Sequence, residues 1–172
     1  MPPCPRLGLK TSNGVPRRSY RCAAQRSEKL TYTWLPHTAD IRAALDAPTF
    51  PALLDDVVAV LRELCVGPGA AVAPRLVRGI RANGPDPADL LLHFAREVLA
   101  AFALEAIVPA RFELDDLRFP PAAAAALSGR LLGEAFDPSR HQTQPEIKAV
   151  TRHGLHVGQN AQGWHAELLF DV

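Results

Sequence analysis

Among its 172 residues the chain has one methionine, two tryptophans, two tyrosines and three cysteines. After residue 29 it has a single lysine, Lys148. No window approaches the run of about 18 uncharged apolar residues that a membrane-spanning helix needs. The first 29 residues hold no apolar stretch of the about 7–15 residues that a secretory signal requires. Cys4, Cys22 and Cys65 form no CxxC pair and leave one over, against a disulfide framework or a zinc knuckle. A reducing cytoplasm fits that usage. No GxGxxG, P-loop or HExxH spacing occurs, and no Ser-His-Asp or Cys-His arrangement stands out.

What is present is a divided charge. Residues 1–29 carry seven basic residues against Glu28 alone, a net charge of +6. Residues 30–172 carry twelve basic and seventeen acidic residues, a net charge of −5. The leader mixes Pro2, Pro3, Pro5 and Pro16 with arginines and shows no apolar periodicity, which predicts a disordered basic segment. Nucleic-acid binders cluster Lys and Arg on the folded face that meets phosphate. The body's eleven arginines are scattered instead, so strong direct binding of RNA or DNA by it is not expected.

From residue 30 onward the apolar pattern predicts one domain. Leu30, Tyr32 and Trp34 alternate with threonines as a half-buried strand does, and Arg42–Ala47 reads as a second strand. Phe50, Leu53, Leu54, Val57, Val58, Leu61, Leu64 and Cys65 then fall at intervals of three and four. That stripe predicts a helix with Thr49 as its N-cap, Pro51 in its first turn and Gly67 as its stop. A short strand is expected over Leu76–Ala82, and a second helix opens at Asp86-Pro87 with Leu90, Leu91, Phe94, Val98, Leu99 and Phe102 inward. Arg111–Leu117, Leu127–Leu132, Ile147–Leu155 and Trp164–Val172 read as strands. The alanine run 122–126 reads as a loose insertion and Gly133–His141 as a long polar loop. The expected fold is α+β, mainly an antiparallel sheet with two amphipathic helices packed on it.

Few residues invite chemistry. Cys65 lies on an apolar stripe and reads as a small buried hydrophobe, and His93 and His165 stand in no motif. Asp40 follows His37 in the segment His37-Thr38-Ala39-Asp40, after the first strand. By spacing alone it is a turn residue bonding its own backbone. Asp171 by spacing alone is a solvated strand end, but it stands beside the carboxylate of Val172. Negative charge gathered there either faces water or holds a hard cation through oxygen.

Four segments in order carry a resemblance. They are His37-Thr38-Ala39-Asp40; Gly133-Glu134 with Asp137-Pro138 and Arg140-His141; Lys148-Ala149-Val150-Thr151 with His153-Gly154-Leu155; and the closing Asp171-Val172. Together they resemble the archease family over residues 32–172. The second and third segments are the more specific. The chain departs from the family pattern at Arg42 and Ala47, where glycines are usual, in its alanine-rich stretch and in its leader.

The resemblance implies an accessory protein, not an enzyme. Such a protein assists a GTP-dependent RNA ligase that joins 3′-phosphate ends in tRNA splicing or RNA repair, promoting its guanylylation and repeated turnover. It also implies a divalent-cation site, calcium in the family, carried onto Asp40, Asp171 and the main chain of Val172. Lys148 and His37 are implied as residues of functional weight toward the partner. An alternative role for the family is a chaperone-like module for an RNA-modifying enzyme such as a tRNA methyltransferase. A metal-dependent hydrolase using His37, His141 and His153 is the remaining reading. The wide spacing of those imidazoles disfavours it.

Overall fold

The computed structural model describes residues 32–35 (backbone alone), 40–142, 144 and 146–172. The order is β1 (Tyr32–Leu35), β2 (Asp40–Ala47), α1 (Phe50–Val66), β3 (Leu76–Gly84), α2 (Pro87–Glu105), β4 (Ile107–Arg118), β5 (Ala125–Ala135), β6 (Ala149–Asn160) and β7 (Gly163–Asp171). The α+β class holds, and every strand pair is antiparallel. The strands divide into two sheets, one ordered β1-β2-β7-β6 and the other β3-β5-β4. Both helices touch both sheets.

The helices form where their caps and stripes dictate. Thr49 Oγ1 accepts from the Ala52 N–H at 3.2 Å, and Gly67 ends α1 with a φ of 86°. Asp86 Oδ1 accepts from the Asp89 N–H at 2.8 Å, with Pro87 opening α2. Phe50, Leu53, Leu54, Val57, Leu61, Leu90, Leu91 and Phe94 are buried in one core cluster with Ile80, Leu131, Leu168 and Phe170 from the strands. Each large side chain fully buried there contributes roughly 1.5–3 kcal/mol.

Several boundaries differ from the sequence pattern. Gly133, Glu134 and Ala135 finish β5 and do not belong to a polar loop, and Ala125 and Ala126 open that strand. A Cβ at Gly133 would run into the Val108 carbonyl on β4, so glycine lets the two backbones close. β3 runs through Asn83-Gly84 because Gly84 lies under the start of α2, against Asp89 and Leu90. The last hairpin turns on Ala161 and Gln162 alone, with Asn160 Oδ1 accepting from the Gln162 N–H at 2.8 Å.

Alternation then decides which side chains leave the core. On one face of β2 and β7 Ala43, Leu45, Ala47, Ala166, Leu168 and Phe170 are buried, and Leu169, opposite Arg42, is the buried residue of the other face. Asp40, Arg42, Asp46, His165, Glu167 and Asp171 occupy the other face, away from the helices. No helix among the described residues is long and apolar enough to cross a membrane.

Candidate functional site

The outer face of β2 and β7 brings the acidic residues together. Asp40 opens β2 and pairs directly with Asp171, the last residue of β7. Directly opposed residues of an antiparallel pair project to the same side, with Cβ atoms about 4.5–5.5 Å apart. Ala149 of β6 pairs with Asp171 from the other flank, so a methyl group is the third member of that row. Both aspartates are half-buried.

Lys148 closes the arrangement. Its main-chain N–H donates to Asp171 O at 2.8 Å, and its Nζ donates to Val172 O at 3.0 Å. The side chain is exposed, and no Asp or Glu side chain pairs with it among the described residues. His37 lies outside the described residues, as do its neighbours up to Ala39.

Further along the face, Arg42 pairs with Glu167 at 3.6 Å and lies over Gly154, where β6 bulges. His165 Nδ1 meets Asp46 Oδ1 at 3.0 Å, and His165 Nε2 lies 3.7 Å from Glu167 Oε1. The alternation of β7 is legible in its sequence, but the β2 side chains opposite it are not, because register is a long-range property.

The donor set suits a hard cation. Two carboxylates and one main-chain oxygen offer oxygen ligands only, the preference of calcium or magnesium. Among the described residues no group of three or more His, Cys, Asp or Glu could hold a metal, so any ion here would rely on the main-chain oxygen and water.

The residues of the Gly133–His141 segment build local structure at the end of β5. Glu134 is buried, with Oε1 3.3 Å from His141 Nε2 and Oε2 3.2 Å from the Arg140 guanidinium. The Asp137 N–H donates to His141 Nδ1 at 3.0 Å, which places the imidazole proton on Nε2, facing Glu134. Asp137 accepts from the Ser139 hydroxyl at 2.6 Å, from the Ser139 N–H at 2.9 Å and from Arg140 Nε at 3.1 Å. The Ser139 bonds first, then Arg140, hold the Asp137 carboxyl down at about 2. The Arg140 guanidinium likewise lowers Glu134. The segment is a self-bonded staple after β5, with both nitrogens of His141 engaged. Cys65 is buried and its thiol is pushed up to about 12, the opposite of an activated thiolate.

Fold and site define an α+β protein with two antiparallel sheets and an oxygen-donor face where β2 and β7 meet. Residues 32–172 match the Archease protein family, and the chain belongs to that family. Protein archease of Methanosarcina acetivorans is 27% identical over 85% of this chain and 99% of its own length. Protein archease of Methanopyrus kandleri is 30% identical over 80% of this chain and 96% of its own. In fold the chain is similar to the solution structure of Methanobacterium thermoautotrophicum protein 1598, with TM-score 0.70, 19% identity, and 83% of this chain and 99% of that one covered. A crystal structure from Thermotoga maritima, described as an archease, possible chaperone, matches with TM-score 0.53 and 17% identity over 80% of this chain and 94% of that one.

Proposed function

We propose that this protein is a cytoplasmic accessory protein that activates a GTP-dependent RNA ligase, promoting its guanylylation and multiple turnover in tRNA splicing or RNA repair. In this reading Asp40, Asp171 and the main chain of Val172 hold a divalent cation, calcium, and Lys148 and His37 face the partner. The observation that carries it is the direct pairing of Asp40 with Asp171, beside a lysine bonded to Val172. Two carboxylates set side by side repel unless a cation or solvent compensates them.

When bound, the cation supplies concentrated positive charge of the kind that offsets phosphate oxygens in nucleotidyl chemistry. The chain's own residues do the positioning. The β2–β7 ladder fixes the spacing of the two carboxylates, and the Lys148 main-chain N–H, bonded to Asp171 O, ties down the end of β7 beside them. The net charge of −5 on residues 30–172 favours a protein partner over direct capture of RNA. The buried, high-pKa Cys65 and the fully engaged His141 support an accessory role over independent catalysis.

The test is ligation of 3′-phosphate RNA by the ligase from the same organism. Adding the protein should raise the guanylylated fraction and carry the ligase beyond one turnover, and a chelator should remove the gain. An unchanged turnover number overturns the reading. A chaperone-like role toward an RNA-modifying enzyme is the second reading, favoured by the description of the Thermotoga relative. It would show as slower aggregation of a tRNA methyltransferase with no effect on ligase guanylylation.

A further inference from the structure

We propose that Lys148 is a built-in counter-ion that a divalent cation displaces, so that loading the site releases the lysine toward the partner. The inference rests on the cation reading given above. Lys148 is bonded to two of the proposed ligand residues at once, through its N–H to Asp171 O at 2.8 Å and its Nζ to Val172 O at 3.0 Å. The first bond belongs to the backbone and persists whatever the side chain does. The second is made by an exposed ammonium on four rotatable methylenes, which can leave.

The oxygen it occupies is one the cation needs. A calcium ion sits about 2.3–2.6 Å from its oxygens, so a cation on Val172 O would lie within about 6 Å of an ammonium still bonded there. A double positive charge and a single one at that separation repel, and swinging the lysine into water relieves it. Arg42, the other cation on this face, is already held by Glu167 at 3.6 Å and packed over Gly154. Lys148 has no Asp or Glu side-chain partner among the described residues and leans on the Val172 oxygen alone. The two cations therefore differ in setting: Arg42 has a neighbouring carboxylate and is packed over Gly154, whereas Lys148 is an exposed side chain resting on a proposed ligand oxygen.

Exchange has a reciprocal consequence. If calcium expels the ammonium, the ammonium must weaken calcium by the same factor. Removing its charge while keeping its apolar stem should tighten the metal. An architectural lysine that merely holds the Val172 oxygen in place predicts the reverse, because its loss would loosen a ligand.

The experiment is calorimetric titration of calcium chloride into the full chain, wild type and K148M, K148R and D40N variants, with melting curves confirming that each is folded. K148M should bind calcium about tenfold tighter than wild type, and K148R should bind like wild type. D40N should bind about tenfold or more weakly. In wild type, the Lys148 side-chain methylene resonances should shift and sharpen on calcium addition. Equal or weaker binding by K148M overturns the exchange while leaving the cation reading intact. Absence of calcium binding in wild type and K148M alike overturns both.

Discussion

Asp40 stands directly opposite Asp171 across the β2–β7 ladder, although 131 positions of sequence separate them. Neither belongs to the core, because both project from the face that alternates away from Leu45 and Leu168. Asp40→Ala and Asp171→Ala should each leave the melting temperature within a few degrees of wild type, about 0.5 kcal/mol or less in stability. Each should abolish stimulation of the ligase. The double variant should be little worse than either single one, since the two act as a unit. Full stimulation by both single variants, measured in the ligation assay, would show that the pair is not the working site.

Gly133 belongs to a segment that supplies no proposed ligand, and its substitution has a purely structural consequence. A Cβ there meets the Val108 carbonyl and the Ile107 side chain, so Gly133→Ala must push β4 and β5 apart. The expected loss is about 1–3 kcal/mol, read by urea denaturation, with any loss of ligase stimulation tracking the unfolded fraction. Wild-type stability in this variant would refute the close approach.

Acid sensitivity should carry the signature of Asp137. Its folded carboxyl is depressed from an ordinary 3.8 to about 2 by the Ser139 bonds and Arg140. A depressed carboxylate stabilises above its unfolded pKa and loses that contribution as pH falls through the folded value. The contribution should therefore be complete above about pH 4 and vanish on the way to about pH 2. Asp137→Asn should flatten the stability–pH curve in that window and leave it unchanged at pH 5–7, apart from a constant offset. A wild-type curve already flat between pH 4 and 2 would contradict the bonding of the staple.

The basic leader yields a prediction about RNA. Residues 1–29 carry +6 and the rest −5, so weak salt-sensitive RNA binding by the full chain should come from the leader. Deleting residues 1–29 should abolish that binding in a filter assay and leave ligase stimulation and melting temperature unchanged. Tight RNA binding by the truncated chain would return the body to the class of direct RNA binders.

The sequence by itself determined the elements whose causes are local. Thr49, Gly67 and Asp86-Pro87 bound the helices because capping and stopping act within one turn of chain, and the stripes at three and four spacing marked the buried faces. The alternation of β7 assigned Asp171 to the polar face, and the order of four short motifs pointed to the family before any contact was known. Tertiary structure alone decided how the strands partition into two sheets and where β5 begins and ends. Gly133 and Glu134 look like loop residues until Val108 and the Arg140–His141 pair are seen to hold them. It alone also set Asp40 against Asp171 and Lys148 against Val172. Register between distant strands follows from how the whole core packs, and a slip of one residue would turn each aspartate inward.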